Sequence, residues 1–272
     1  MISSGAIPEW LQASEVIRLE AFLAGFVLIG VLERLLPNRT HQWRGRATGN
    51  IGLQLVNALV QLAMLLAAPL TLSAVALIAL FSQFGLLNHL QMGLWTKIII
   101  AWLVLDLASY WWHRAWHGVP LLWQFHRIHH LDPALDVLTT FRTHPVETVL
   151  TILFKGCIVY LLGVPLLGVI LYEVVVAVMA LWIHGNVRIR PGADRFLALL
   201  LITPGLHRIH HGALESEYSR NFGLVLSLWD RIFGTYRASH PATASGPGIT
   251  SPDTAAAMTL PGMLWLPFRK TA

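Results

Sequence analysis

Residues 94–117 read LWTKIIIAWLVLDLASYWWHRAWH, an apolar stretch that ends in two histidines four residues apart. The apolar part, residues 94–112, is long enough to cross a hydrocarbon core about 30 Å thick. The whole chain of 272 residues has the same character, because 55% of it is hydrophobic, only 12% is charged and its mean hydropathy is +0.60. A soluble domain of this length needs more charge to cover its surface. The composition therefore predicts an integral membrane protein.

Three other apolar stretches accompany this one. Residues 16–36 predict an N-terminal span, which we expect to be retained because it lacks the basic start and cleavage site of a signal peptide. Residues 51–81 are too long for one upright span and too short for two, and Pro69 divides them. We expect one crossing there plus a broken or in-plane extension. Residues 148–183 are split at residues 163–165 (GVP) into halves that barely span, which predicts a helical hairpin.

The predicted fold class is all-α: a polytopic membrane protein with about four transmembrane helices, namely two spans plus a helical hairpin, after an N-terminal span. Arginines cluster after the first span, after residues 94–112 and after the hairpin. Because basic loops mark the cytoplasmic side, these groups place a helical cap and the C-terminus in the cytoplasm. The domains predicted are a transmembrane region (1–93), a catalytic domain (94–237) and a flexible tail (238–272), which begins with a segment rich in Pro, Ala, Ser, Thr and Gly.

The charge and the single cysteine limit the possible partners and cofactors. The net charge is +5 and the pI is about 9.8, but the basic residues flank apolar stretches instead of forming a soluble patch, which argues against a nucleic-acid partner. Cys157 is the only cysteine, so the chain can form no internal disulfide and no thiolate metal cluster. Any metal ion must be held by nitrogen or oxygen.

The histidines have the spacing of metal ligands. Ten of the thirteen lie between His113 and His211, and the pattern HxxHH occurs twice. Side chains three and four residues apart share a helix face, so each set can aim its rings at one point. With His184 as a possible ninth member, the sets hold too many imidazoles for one four-coordinate site and suit two metal ions. Imidazole alone leaves iron, zinc, copper and nickel open. The three sets are His113 and His117; His126, His129 and His130; and His207, His210 and His211.

Seven motifs between about residues 95 and 237 carry a family resemblance. They are DLASYWWHRAWH (106–117), HRIHH (126–130), RTHPVE (142–147), HGN (184–186), HRIHH (207–211), NFG (221–223) and WDRIFGTY (229–236). Their order and spacing resemble those of the integral-membrane fatty acid hydroxylase and sterol desaturase superfamily.

The resemblance implies a non-haem diiron centre that uses O2 and two external electrons to oxidise a C–H bond of a sterol, fatty acyl or related lipid, as a hydroxylase or a desaturase. It leaves open whether His144, Asn186 or a water completes the metal site. We expect Asp106 either to orient a ligand imidazole or to pair with an arginine. The implied ligands are His113, His117, His126, His129, His130, His184, His207, His210 and His211.

Two other functions compete with a lipid oxidase. A non-enzymatic metal-binding or carrier protein should place ligands along a path through the bilayer, whereas these crowd at one face. A bis-histidine haem protein would leave the HxxHH sets unexplained. The chain has no GxGxxG fingerprint and no cysteine set, so an oxidase needs an external electron donor, a reductase with a cytochrome or ferredoxin. The excess of arginine over lysine favours a bacterial plasma membrane over endoplasmic reticulum.

Overall fold

The computed structural model describes residues 9–40, 45–67, 70–238, 246–249 and 251–269. Within these residues the chain forms only helices, turns and isolated bridges. Four short 3-10 helices cover Val137–Phe141, Pro252–Thr254, Ala256–Met258 and Leu266–Phe268. The α-helices are α1 (Glu9–Leu35), α2 (Ala47–Ala67), α3 (Leu72–Phe81), α4 (Leu86–His89), α5 (Leu94–Gly118), α6 (Pro120–His130), α7 (Pro145–Leu162), α8 (Leu166–His184), α9 (Pro191–Leu197), α10 (Pro204–His210), α11 (Glu215–Tyr218), α12 (Leu228–Ile232) and α13 (Leu260–Trp265).

Four of these segments are long and apolar enough to cross a membrane: Ala47–His89, α5, α7 and α8. The all-α polytopic class, with two spans and a hairpin, is thus confirmed. The helix α1 is not one of the four, because charged residues lie near both of its ends. It packs along α8, and its buried Glu33 accepts hydrogen bonds from the backbone N–H groups of Val137 and Asn186, both at 2.7 Å.

The break predicted within residues 51–81 separates α2 from α3. Pro69 itself lies outside the described residues. The helix α3 begins after Thr71, whose hydroxyl accepts a hydrogen bond from the N–H of Ala74. The hairpin of α7 and α8 is also confirmed, and its turn contains Gly163 in the left-handed region (φ +68°).

A shared apolar core joins α3, α5, α7 and α8. Leu105, Val159 and Val169 are buried in it, and the hydroxyl of buried Tyr172 bonds Ser109 at 2.6 Å. Large apolar side chains on the outer surface of the bundle, such as Leu55, Leu59 and Leu66, stay more than half exposed. An apolar exterior of this kind suits lipid as the surrounding solvent.

The helices continue past the apolar stretches and carry the histidines beyond them. The helix α5 extends to Gly118, so His113 and His117 occupy its last turns. Pro120 and Pro204 are the first residues of α6 and α10, a position where the missing proline N–H costs no hydrogen bond. Each proline thus begins a short helix that leads into one of the two HxxHH motifs.

Part of the tail expected to be flexible over residues 238–272 is described by the structure and packs against helices. Residues 239–245 lie outside the described part, but residues 246–249 and 251–269, here called the C-terminal strap, pack against α2 and α6. Met263 and Leu266 are buried beside Leu53 and Ile128. The composition of the first part suggested flexibility, whereas apolar side chains further along supply the packing energy that orders the strap.

Candidate metal centre

The structure brings the nine predicted histidines together in two neighbouring groups. In each group, one possible ligand atom per residue lies within 4.8 Å of those of all other members. Eight of the nine side chains are buried, and that of His117 is partly so. The five-histidine group contains His113, His117, His126, His130 and His210, and the four-histidine group contains His129, His184, His207 and His211.

Each HxxHH motif contributes to both groups. His126 and His130, four residues apart on α6, share a face and join the five-histidine group, while His129 points towards the other. At α10 the assignment is reversed: His207 and His211 join the four-histidine group and His210 joins the five-histidine group. Each HxxHH motif therefore supplies side chains to both groups from a single helix.

The ring nitrogens converge closely in both groups. The Nε2 atom of His184 lies 2.9 Å from that of His129 and 3.0 Å from that of His207, which is 3.2 Å from Nε2 of His211. In the five-histidine group, the Nε2 atoms of His113 and His210 are 3.1 Å apart. Two imidazoles bound to one metal ion at about 2.0–2.1 Å are themselves about 3 Å apart. The spacing is that of ligands around a cation.

Several of these nitrogens have no protein partner. Among the described residues, Nε2 of His126, both ring nitrogens of His117 and both of His130 are buried without a hydrogen bond. Buried polar atoms without partners are costly, and a cation in the five-histidine group would take up one nitrogen of each of these three rings. The donor set thus fits two cations held by nitrogen.

In four of the nine histidines, the ring nitrogen Nδ1 is hydrogen-bonded to an oxygen atom. A ring that donates its Nδ1–H keeps the Nε2 lone pair for a metal, and such contacts fix its orientation. Three acceptors are backbone carbonyls and one is the buried carboxylate of Glu147. The Nδ1–H groups are donated by His113 to the Phe222 carbonyl (2.8 Å), by His126 to Glu147 Oε1 (2.8 Å), by His184 to the Ala180 carbonyl (2.7 Å) and by His210 to the Arg220 carbonyl (2.8 Å).

Burial keeps five of the nine imidazoles uncharged. Loss of hydration, reinforced by neighbouring imidazoles, lowers the pKa of His129, His130, His207 and His211 well below the usual value of 6.5. Burial likewise lowers the pKa of His210 to about 3. The rings are therefore neutral at physiological pH, which is the form that coordinates metals.

Sequence comparison agrees with this geometry. The family model for fatty acid hydroxylase matches residues 98–235, the part of the chain that carries all nine histidines. The chain belongs to the fatty acid hydroxylase family. An ornithine lipid hydroxylase of Rhizobium tropici is 31% identical over 237 residues, covering 84% of this chain and 70% of its own length. The resemblance inferred from the motifs is confirmed.

Other relatives match over a smaller part of their own length. Human alkylglycerol monooxygenase is 30% identical over 151 residues, covering 54% of this chain and 32% of its own length. A fatty acid hydroxylase of Lecanicillium is 29% identical over 154 residues, covering 49% of this chain and 40% of its own length. No solved structure matches the chain.

In this member of the family, the other three predicted site residues lie outside both histidine groups. His144 precedes Pro145, and its Nδ1 accepts from the Val146 N–H to cap α7 while its Nε2 donates to the Leu264 carbonyl. The Asn186 amide is bonded to the backbone N–H and carbonyl of Arg39. The ring nitrogens of His144 and the amide atoms of Asn186 are thus all hydrogen-bonded to backbone groups.

Asp106 also has a different role from the two expected. Its Oδ2 accepts hydrogen bonds from the Trp229 indole at 2.8 Å and from the Leu226 N–H at 3.3 Å, and within the described part of the chain no imidazole or arginine donates to it. It therefore ties α5 to the segment that precedes and begins α12. That segment follows Phe222, whose carbonyl anchors His113.

Two sets of contacts near the histidines were not predicted from the sequence. Glu147 belonged to the RTHPVE motif, but its contact with His126 depends on how α7 packs against α6. The second feature is a buried ion cluster in which Arg46 bonds Asp132 at 2.8 Å and Asp136 at 3.0 Å. Asp132 follows His130 by two residues, so the cluster fixes the end of α6 against the start of α2.

A cavity among the apolar helices approaches the four-histidine group. It has a volume of about 660 Å³ and lies between α1, α2, α3, α7 and α8. One of its lining residues is Ala180, whose carbonyl anchors His184 one turn further along α8. Leu62, Leu65 and Val176 give the cavity apolar walls. We refer to it as the membrane cavity.

Proposed function

We propose that the protein is an O2-dependent lipid hydroxylase with one iron ion in each histidine group. The observation that carries this proposal is the pair of convergent imidazole groups at one end of apolar helices, beside the membrane cavity. The relatives named above are hydroxylases or monooxygenases by name, which favours hydroxylation over desaturation. The overall reaction would consume a lipid C–H bond, O2, two electrons and two protons, and yield a lipid alcohol and water.

The two irons, when bound, would supply reduction of O2 and oxidation of the C–H bond. The chain's own residues would hold and shield them. Glu147 and the three backbone carbonyls orient the rings, and the membrane cavity presents an apolar chain from the lipid side. On the other side, backbone N–H groups of the strap bond the carbonyls of His211 (from Gly248, 3.1 Å) and His130 (from Ile249, 2.9 Å). The strap would thus limit water access.

The metal centre and the reaction can be tested together. Lipid extracts from a bacterial host expressing the chain should contain a species with one added oxygen atom, and the purified protein should hold two irons per chain. His130→Ala or His211→Ala should abolish the product and lower bound iron, because each removes a converging ligand. Mass spectrometry and elemental analysis measure both effects.

The matched control is His89→Ala on α4, which alters a histidine outside both groups and should leave product and iron unchanged. Loss of two hydrogen atoms from a lipid would assign a desaturase instead. Metal retained with unaltered lipids under aerobic conditions would favour a non-enzymatic metal-binding protein.

We further propose that the histidines face the cytoplasm of a bacterium and receive electrons from an acidic protein donor. Exposed arginines, including Arg188, Arg190 and Arg195, lie in the segment that follows His184. Charge steering of this kind weakens with ionic strength. Turnover driven by a ferredoxin-type or cytochrome-type donor should therefore fall as salt rises from low to about 0.5 M, whereas turnover with a small uncharged reductant should not. Equal salt dependence for both reductants would contradict an electrostatic docking step.

A further inference from the structure

Large apolar side chains are exposed on the part of the protein that follows the last membrane-spanning helix. They lie in two stretches of the chain, 196–200 and 228–232, and each is 40% or more exposed. Leu228 and Ile232 are four residues apart on α12 and therefore share a face of that helix. Single exposed apolar residues are ordinary, but a contiguous set marks contact with a partner or a membrane. The set, here called the apolar patch, comprises Phe196, Leu199, Leu200, Leu228 and Ile232.

Backbone hydrogen bonds hold the two stretches side by side. The Ser227 N–H donates to the Leu200 carbonyl (2.9 Å), and the Ser227 hydroxyl donates to the Ala198 carbonyl (2.8 Å). The Ile202 N–H donates to the Val225 carbonyl at 2.8 Å. The exposed side chains therefore belong to one surface. Non-helical backbone is tolerated at membrane depth where its polar groups are satisfied in this way.

Contacts with α5 show how far this surface extends along a membrane-spanning helix. The Phe222 carbonyl accepts from His113, just beyond the apolar part of α5. Four residues later, the Leu226 N–H donates to Asp106 Oδ2 at 3.3 Å. Asp106 is seven residues nearer the middle of α5 than His113, which is about 10 Å along the helix. The chain therefore descends along α5 to the level of its apolar residues.

The apolar patch is continuous with the outer surface of the spanning helices. Phe233, the residue after α12, has its ring centroid 4.8 Å from that of Trp111, which is 44% exposed on α5. Ala198 and Ile202 are buried in one cluster with Ile183, in the last turn of α8. The patch thus adjoins two spanning helices at the level of apolar residues of α5, where the surrounding medium is lipid.

The charges beside the patch match a bilayer surface. Residues 188–200 contain three exposed arginines, whereas their one carboxylate, Asp194, is buried. In residues 226–234 the carboxylate of Asp230 is also buried and accepts backbone N–H groups, and the Arg231 guanidinium donates to a backbone carbonyl. Arginines bordering an apolar surface bind lipid phosphates while the apolar side chains enter the acyl region. The three exposed arginines are Arg188, Arg190 and Arg195.

We propose that the apolar patch enters the leaflet at the histidine end of the molecule, with the three exposed arginines at the level of the lipid phosphates. A soluble partner would have to reach below the membrane surface to cover the patch, and a two-fold contact with a second copy would bring the arginines together. The head-group region is hydrated, so these arginines still face an approaching soluble protein. The inference involves neither a metal ion nor oxidation, and it is therefore independent of the proposed function.

The test attaches a bimane fluorophore to single cysteines of the full-length protein in phosphatidylcholine and phosphatidylglycerol vesicles. Cys157→Ser removes the natural thiol from every variant. Quenching is measured with bromine-substituted phosphatidylcholine and, separately, with acrylamide in the water. Bromolipid should quench Leu200→Cys and Ile232→Cys several-fold more strongly than Ser216→Cys, an exposed position on α11, and about as strongly as Leu59→Cys, on the outside of α2. Acrylamide should show the reverse order.

Arg190→Cys tests the border of the patch, and acrylamide should quench its fluorophore more strongly than that of Leu200→Cys. The two patch positions come from different stretches of the chain, and thermal unfolding midpoints show which variants keep the fold. Acrylamide quenching at Leu200 and Ile232 equal to that at Ser216 would place the patch in water. Weak quenching by both reagents would place it in a protein contact. Either result would overturn the proposal, whatever the outcome of the oxidation assay.

Discussion

At the scale of single residues, the anchoring of the imidazoles distinguishes Glu147 from the other acceptors. Three anchored rings donate to backbone carbonyls, whereas His126 donates to a carboxylate. A negative acceptor raises the basicity of the imidazole and so strengthens its bond to a metal ion. Because Glu147 stands two residues after Pro145 in the first turn of α7, it is also favoured there by the helix dipole.

Glu147→Gln should keep an oxygen acceptor for His126 and remove the charge. We expect the affinity for iron to fall about 10- to 100-fold, with the fold retained. Iron retained after a timed chelator challenge measures the change. Glu215→Gln, at an exposed glutamate of α11, is the control. Unchanged iron retention in Glu147→Gln would show that the carboxylate charge is irrelevant to the site.

The spacing of the histidines could predict which rings converge because helix geometry is local. The HxxHH motifs and the pair on α5 indicated side chains that converge, and all of them lie in the two groups. Sequence could not predict how each motif divides between the groups, nor that the Phe222 and Arg220 carbonyls anchor His113 and His210. Those contacts join residues far apart in the chain and depend on tertiary packing.

At the scale of elements, the hairpin turn is held by two glycines in contact. Gly163 ends α7, and Gly85 precedes α4 with φ of +100°. A Cβ on Gly85 would lie 2.3 Å from the Gly163 backbone nitrogen, closer than any real contact allows. Asn88 of α4 also lies against Gly163. Its Nδ2 atom would be 2.9 Å from a Cβ placed on Gly163. The turn of the hairpin therefore depends on the absence of side chains at both positions.

Gly85→Ala should destabilise the protein by about 2 kcal/mol or more, because left-handed strain of about 1–2 kcal/mol adds to the backbone clash. The midpoint of thermal unfolding in detergent should fall accordingly. Gly93→Ala is the control, since Gly93 has an ordinary φ of −60° and a Cβ placed there would meet no atom within 4 Å. Similar unfolding midpoints for the two variants would contradict a tight turn contact.

The lengths of the apolar stretches and the positions of glycine and proline predicted the helical segments, but not the residue at which each helix ends. The helix α5 continues past the apolar stretch to Gly118 because its final turns pack against α6. The strap is the clearest difference, since its order comes from burial of Met263 and Leu266 against α2 and α6. Local composition does not reveal such partners.

At the scale of the whole molecule, the collected imidazoles make stability depend on pH. Burial lowers the pKa of five histidines outside the candidate spans, to about 3 for His210. Unfolding returns each to about 6.5, so below that pH the unfolded state binds more protons than the folded state. Their contribution to stability is complete above pH 6.5 and is lost as pH falls towards the folded-state values.

Chelator-treated protein should therefore unfold at progressively lower temperature as pH is reduced from 7 to 5. The dependence should be weaker in His210→Gln, because that variant has one fewer ring that must remain neutral. Thermal unfolding across a pH series measures both. A flat profile between pH 7 and 5 in the wild-type protein would mean that the buried rings are already protonated or hydrated in the folded state.

The C-terminal strap also imposes an order on biosynthesis. Residues 246–269 follow every histidine of both groups, so the ribosome releases the ligands before it releases the segment that bonds the carbonyls of His130 and His211. Until the strap has emerged and packed, these two carbonyls lack their bonds to Gly248 and Ile249, and the histidine groups are less covered than in the complete protein. We therefore expect a metal ion to bind more readily before the strap packs than after it.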